Sequence, residues 1–439
     1  MKVMKFGGTS VGSALRMKDV AGLITREKGN VVVLSAMSGT TNALLEIASY
    51  YKKGNGESAT DAARRLEQKY LSHIQELYST SESAAAARAY VRSVFDYIEG
   101  LGKEVFTEAS EKELVARGEM LSTWMVNAYL QEQGVKSVLL PALDFMKKDA
   151  QGEPDTSYIK EHFLKALSAY PDAEVYITQG FICRDAQGEV DNLKRGGSDY
   201  TASLLGAAAH ADEIQIWTDI DGMHNNDPRV VPGTRPVRHL HFEEAAELGY
   251  FGAKILHPTC IQPAKFAGVP VRLLNTMDPS APGTVINNIP DPGSIKAVAA
   301  KDNITAIKIK SSRMLLAHGF LRKVFEIFES YRTSIDMICT SEVGVSMTID
   351  DTSNLSGIVS DLHRYGSVTV DTGMCIVCVV GDMDWENVGF ESRAMDAMRD
   401  IPVRMVSYGG SNYNISFLIR EEDKEKALKS LSAKLFAND

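Results

Sequence analysis

MKVMKFGGTSVG (Met1–Gly12) is answered far downstream by LKRGGSDYTASLL (Leu193–Leu205). Residues 2–6 predict a short apolar strand, and Gly7-Gly8 leaves no side chains above its end. Bare backbone N–H groups beside Lys5 suit a bulky anion such as phosphate. In the second stretch Gly196-Gly197 makes another bare turn, with Arg195 before it and Asp199 entering a helix. A cation, two glycines and a carboxylate at a helix N-terminus suit a metal-bound polyphosphate. Gly7 and Gly12 have the spacing of a P-loop, but Ser13 stands where that motif needs lysine, so the P-loop reading fails.

Outward from these loops, residues 1–290 alternate apolar runs with helical stretches. Strands are predicted at 2–6, 31–35, 136–140, 174–179, 213–218 and 269–274, mostly as continuous apolar runs. Such runs fit strands buried on both faces of a largely parallel sheet with helices on each side, an α/β fold. Gly7-Gly8, Ser38-Gly39 and Asp219–Gly222 each follow a strand directly, which directs them to one crevice beyond the strand ends. Residues 43–133 read as a helical excursion.

Composition narrows the class. At 439 residues the chain is too long for one ordinary core, and 44% hydrophobic with 24% charged residues is typical of a soluble globular protein. No run approaches the roughly 20 apolar residues of a membrane span, and no signal-peptide pattern opens the chain. Five scattered cysteines do not form a secreted disulfide framework, which points to a reducing cytoplasm. A net charge of −10 argues against nucleic acid as a partner. Anionic substrates would then need local cations, which Lys5, Arg195, Arg229 and Lys254 could supply.

NNIPDPGSI at 287–295 is the predicted boundary, after which a pattern repeats. Strand 304–309, helix 320–331, strands 334–339 and 344–349, helix 353–364 and strand 367–371 make a βαββαβ, ferredoxin-like unit. Val324, Ile327, Phe328 and Tyr331 form the apolar stripe of its first helix. A second pass runs through strand 374–380, helix 384–398, strands 402–407 and 413–419, and helix 422–435. It is one strand short, and the spare run IKAVAA at 295–300 can complete it. Two interleaved small domains follow, at 301–372 and at 295–300 plus 373–439. Cys375 and Cys378 have metal-like spacing but lie three apart on an apolar strand, facing opposite sides, so core is the better reading. His239 and His241 lack a third ligand.

KFGGTS (Lys5–Ser10), SAMSGTTN (Ser35–Asn42), ARGEMLST (Ala116–Thr123), RGGSDYTA (Arg195–Ala202), WTDIDG (Trp217–Gly222), DPR (Asp227–Arg229) and FGAKILHP (Phe251–Pro258) together resemble the aspartokinases of the amino-acid kinase superfamily. The resemblance implies an amino-acid-kinase sandwich over 1–290 and tandem ACT domains after it. It implies phosphoryl transfer from ATP, with Mg2+, to the β-carboxylate of aspartate, giving 4-phospho-L-aspartate. Lys5, Gly8 and Asp199 would be catalytic. Thr41, Glu119, Arg195 and Ser198 would hold aspartate. Lys5, Gly7, Gly8, Ser10, Thr218, Asp219, Asp221, Arg229 and Lys254 would form the nucleotide site, with no dedicated protein metal site. A carboxylate acceptor is already ionised, so alignment and charge neutralisation suffice without a general base.

MLLAHGFL (Met314–Leu321) and SIDMICTSEVGVS (Ser334–Ser346) resemble the effector segments of lysine-sensitive members. By that resemblance Met314, Gly319, Phe320, Leu321, Ser334, Asp336, Thr340 and Ser341 would bind lysine. The N–H groups after Gly319 would take its carboxylate and Asp336 its ammonium. ACT pairing implies a homodimer or homotetramer. The chain departs from the family in three places: Lys194 replaces a usual glycine, His224-Asn225-Asn226 a tyrosine-containing run, and Ala317 a common serine. The alternatives are another amino-acid kinase, such as one for acetylglutamate, and a non-catalytic ACT sensor.

Overall fold

The computed structural model describes residues 1–103, 105–193, 196–252, 256–314 and 318–436. Along the chain its elements are β1 (Lys2–Phe6), α1 (Ala14–Ile24), β2 (Asn30–Leu34), α2 (Thr40–Lys52), α3 (Gly56–Leu77), α4 (Ser81–Leu101) and α5 (Glu108–Glu132). Next come β3 (Ser137–Leu140), α6 (Thr156–Ser168), β4 (Val175–Gln179), β5 (Ile182–Arg184), β6 (Val190–Asn192), α7 (Gly197–Ala208) and β7 (Glu213–Thr218). β8 (His239–His241), α8 (Phe242–Tyr250), α9 (Gln262–Ala267), β9 (Val271–Asn275) and β10 (Thr284–Asn287) follow. The C-terminal part holds β11 (Ile295–Lys310), α10 (Phe320–Ser330), β12 (Ile338–Ser341), β13 (Gly344–Ile349), α11 (Leu355–Leu362) and β14 (Ser367–Gly381). It ends with α12 (Phe390–Ala397), β15 (Met405–Tyr408), β16 (Asn414–Arg420) and α13 (Lys424–Leu435).

Two compact units result: Met1–Met223 with Ile255–Ile289, and His224–Lys254 with Pro290–Asp439. In the first, strands run β3-β4-β2-β1-β7-β9-β10 across one sheet. All neighbours are parallel except β9 and β10. Met4, Phe6, Val32, Leu34, Val175 and Ile177 enter a core shared with α1 to α5. The alternate residues Val3, Val31, Val33, Ile214 and Ile216 are equally buried, and α7 packs on β1, β2 and β7. Burial on both faces is why these strands read as unbroken apolar runs. The helical excursion is α2 to α5, with side-chain caps from Asn55 on α3, Thr80 on α4 and Thr107 on α5.

His224–Lys254 packs with the C-terminal unit although it precedes the 287–295 boundary. Side-chain and backbone bonds hold it there: Asn226 Nδ2 donates to the Leu428 carbonyl at 3.0 Å, and Val298 N to the Asn225 carbonyl at 2.9 Å. Val231 enters the apolar core of α12, α13 and their strands. No hydrophobic periodicity announces such contacts.

The C-terminal unit is one six-stranded antiparallel sheet, β12-β13-β11-β14-β16-β15. The predicted strand pairs 295–300/304–309 and 367–371/374–380 are two continuous strands, β11 and β14. Their registers shift between Lys301 and Ile304 and again between Ile304 and Ala306. Asn303 at φ 60° and Gly373 at φ 65° absorb the irregularity without ending either strand. The N-terminal half of β11 pairs with the C-terminal half of β14, which interleaves the two repeats. The expected strand at 334–339 is displaced to β12. The Thr348 hydroxyl takes the Met337 N–H at 2.9 Å while the Thr348 backbone bonds the Met337 carbonyl and the Asp336 N–H, an irregular pairing that leaves Ser334 and Asp336 before the regular strand. Cys375 and Cys378 are both buried in β14.

Candidate active site

Gly7 N still reaches the Trp217 carbonyl at 3.4 Å, so β1 ends one residue before the chain turns. Ser38 N donates to the Gly8 carbonyl at 3.0 Å, which ties the loops after β1 and β2 together. A Cβ on Gly8 would lie 2.7 Å from the Ala36 carbonyl oxygen, so no other residue permits this approach. Gly196 caps α7 at φ 68°, turning the chain sharply into the helix that carries Ser198 and Asp199.

These loops, α7 and α5 enclose a cavity of about 430 Å3, lined by Lys5, Gly8, Thr41, Glu119, Ser198 and Asp199 among others. Lys5 Nζ lies 2.7 Å from Asp199 Oδ1, with both side chains 13% exposed. The contact is electrostatic, since Oδ1 receives no aligned hydrogen bond. The Ser35 hydroxyl donates to Ser198 Oγ at 2.9 Å and the Ser122 hydroxyl to the Ser35 carbonyl at 2.7 Å. Glu119 sits on α5 at 4% exposure. Its Oε1 accepts from Ala36 N at 3.2 Å, and Oε2 is buried with no partner among the described residues. Burial pushes its carboxyl up to about 7, against the pull of the Ala36 N–H. A buried carboxylate with one vacant oxygen is prepared for a cationic ligand group.

The sequence also pointed to residues that lie elsewhere. Ser10 is buried, its Oγ 2.8 Å from Thr276 Oγ1, and does not line the cavity. Thr218 ends β7 and its hydroxyl donates to Asp219 Oδ1 at 3.2 Å, with Asp221 two residues on. Arg229 belongs to the second unit and forks onto Asp227 through bonds of 2.9 and 2.8 Å. That pairing holds the Asp227 carboxyl below its usual range. Lys194, Arg195, Lys254 and Ala317 lie outside the described residues.

Of the effector candidates, Met314 closes a short 3-10 turn and Gly319 caps α10 at φ 80°. Phe320 is buried, whereas Leu321, Ser334, Thr340 and Ser341 are exposed. Asp336 has a buried side chain that meets the Lys301 ammonium at 2.9 Å.

Sequence reasoning directed Ser38-Gly39 to this crevice but missed Phe181 and Asn42 as site residues, both of which line the cavity. Phe181 adopts φ 69°, a strained conformation for a bulky residue, and its N–H donates to Thr201 Oγ1 at 3.1 Å. Its place two residues beyond β4 was the available signal, because ligands gather past the carboxyl ends of such strands.

The Amino acid kinase family description matches residues 1–275, and an ACT domain description matches 377–435. Lysine-sensitive aspartokinase 3 of Escherichia coli K12 is 33% identical, with 99% of each chain covered. The chain belongs to the aspartokinase family. Another member, Aspartokinase 1, chloroplastic, of Arabidopsis thaliana, is 36% identical over 99% of this chain and 80% of its own. Escherichia coli aspartokinase III, solved with aspartate and ADP in its R-state, superposes with a TM-score of 0.85 at 32% identity, covering 99% and 100% of the chains. Among the described residues no helix is long and apolar enough to cross a membrane.

Proposed function

We propose that the protein transfers the γ-phosphoryl group of ATP to the β-carboxylate of L-aspartate, giving 4-phospho-L-aspartate and ADP. One observation carries this reading: a single cavity holds the Lys5–Asp199 pair and the vacant oxygen of Glu119. The Lys5 ammonium and the Gly8 backbone meet the transferring phosphate, and Asp199 orients that ammonium. Glu119 Oε2 takes the α-ammonium of aspartate, Thr41 and Ser198 take its oxygens, and Arg195 holds its α-carboxylate as a fork. The attacking carboxylate needs no base, so the barrier falls through alignment and charge neutralisation.

Gly7, Ser10, Thr218, Asp219, Asp221, Arg229 and Lys254 are the nucleotide-side residues. Mg2+ arrives with ATP and supplies charge neutralisation on the phosphates. Asp199 is the cavity carboxylate that suits an ion so carried, and among the described residues no cluster of three His, Cys, Asp or Glu is placed to hold a metal. Feedback inhibition by lysine follows from the first ACT repeat, with the N–H groups after Gly319 facing the carboxylate and Asp336 the ammonium. The work is cytoplasmic, and the C-terminal sheet pairs copies into a dimer or tetramer.

The test is ATP turnover against aspartate, glutamate and acetylglutamate, with hydroxylamine trapping of the acyl phosphate. Hydroxamate from aspartate alone is expected; preferential turnover of acetylglutamate would overturn the reading. Lysine at millimolar concentration should inhibit, and threonine should not.

A further inference from the structure

Tyr250, Lys301, Asp336 and Asp350 form a polar cluster within the second unit. The Asp336 side chain is 1% exposed. Its Oδ1 accepts twice, from the Tyr250 hydroxyl at 2.6 Å and from Lys301 Nζ at 2.9 Å. Its Oδ2 is buried with no partner among the described residues. Lys301 is shared: its ammonium also lies 2.9 Å from Asp350 Oδ2 and 4.3 Å from the centre of the Tyr250 ring.

Two carboxylates therefore face one ammonium, which leaves one negative charge in excess beside a vacant buried oxygen. Such a charge is costly unless a cation or donor meets it. Burial, and then the Asp336 carboxylate, push the Tyr250 hydroxyl up to about 12, so it remains a protonated donor. We propose that Tyr250 is a positioning residue for the effector response, its hydroxyl competing with the effector's primary ammonium for the charge of Asp336. The proposal rests on the lysine reading above and adds how occupancy at Asp336 is transmitted.

A hydrogen bond to an ionised acceptor is roughly twice as strong as a neutral one. An ammonium at Oδ2 neutralises Asp336 and weakens its hold on Tyr250. Lys301 keeps Asp350 as an alternative partner. Tyr250 is the last residue of α8, and the chain beyond it passes close against β11 at Gly252. There a Cβ would meet the Ala300 carbonyl oxygen at 2.2 Å, one residue before Lys301. Loosening Tyr250 thus frees the turn at Phe251-Gly252, which opens the FGAKILHP motif. An effector without a side-chain ammonium cannot act this way, which selects lysine over threonine.

Coupling is reciprocal, so removing the hydroxyl must strengthen effector binding. Calorimetric titration of the full chain with L-lysine should show Tyr250→Phe binding about 5- to 10-fold tighter than wild type. Its half-inhibiting lysine concentration should fall in parallel. Hydrogen exchange at the Phe251 amide, bonded to the Glu247 carbonyl at 3.0 Å, should quicken when lysine saturates wild type. It should already be quick in ligand-free Tyr250→Phe. Lysine affinity in Tyr250→Phe within twofold of wild type, or weaker, would overturn the competition. Normal lysine inhibition of Asp336→Asn would remove its site, whereas wild type that binds no lysine would overturn the effector reading itself.

Discussion

Lys5–Asp199 in the first unit and Lys301–Asp336 in the second are both largely shielded lysine–aspartate contacts, yet their charge balance differs. Lys5 meets one carboxylate at the edge of a cavity about 430 Å3 in volume. Lys301 meets two, and the Asp336 side chain is almost sealed. The first pair is neutral alone, so an arriving phosphate gains the Lys5 ammonium and the surrounding backbone N–H groups. The second is short of a cation. Glu119 resembles the second, being a buried carboxylate with a free oxygen, although it lies in the first unit. Local charge balance, and not the presence of an ion pair, decides whether a site takes an anion or an ammonium. Buried pairs are in any case weak evidence of stabilisation.

The strongest way to break this contrast is Lys5→Ala. It should leave circular dichroism unchanged and lower kcat about 10²–10³-fold, as for loss of one preorganised transition-state donor. Turnover within a few-fold of wild type would show that the first pair is merely structural. Asp199→Ala should also lower kcat; a raised KM with normal kcat would make it a uniform binding residue.

Glu119 sharpens the contrast through pH. Its folded carboxyl titrates near 7 against an ordinary 4.5. A raised value means that its contribution to stability is present below 4.5 and lost as pH rises through 7. Ligand-free Glu119→Gln should therefore be more stable than wild type at pH 8, by roughly 1–3 kcal/mol. Denaturant unfolding at pH 5 and pH 8 measures this, and an equal difference at both values would contradict the buried charge. Aspartate binding should reverse the sign, because its ammonium needs the ionised form. Affinity should weaken about tenfold per unit below pH 7 in wild type, and little in Glu119→Gln. At Asp336 the effect is expected on regulation and not on turnover. Asp336→Asn should weaken lysine inhibition by about 1–3 kcal/mol of coupling while kcat without lysine stays the same. A changed basal kcat would mean that the second cluster supports catalysis directly.

Much of the first unit is legible in the amino-acid sequence. β1, β2, β4 and β7 are apolar runs buried on both faces, and the turns after them are glycine-rich because backbone must approach backbone. Gly8 shows the reason at atomic scale, with no room for a Cβ beside the Ala36 carbonyl. Lys5 and Asp199 could be named because they flank those turns, whereas Thr41 and Ser198 were named only through the family motifs. Glu119 could be named only by motif, since a helix period says nothing about which polar residue a bundle will bury.

Tertiary structure alone decided the rest. Period and propensity are local, so they located strands near 295–300 and 304–309 but could not show that Asn303 joins them into β11. Nor could they show that His224–Lys254 packs with the later sheet, which depends on contacts such as Asn226 to Leu428, 202 residues apart. The charge balance at Asp336 is of the same kind. Tyr250, Lys301 and Asp350 are ordinary residues singly, and the excess charge exists only where the chain brings Tyr250 and Lys301 within 3 Å of Asp336 and Asp350 within 3 Å of Lys301. Sequence determines which groups can ionise; folding determines which of them must share.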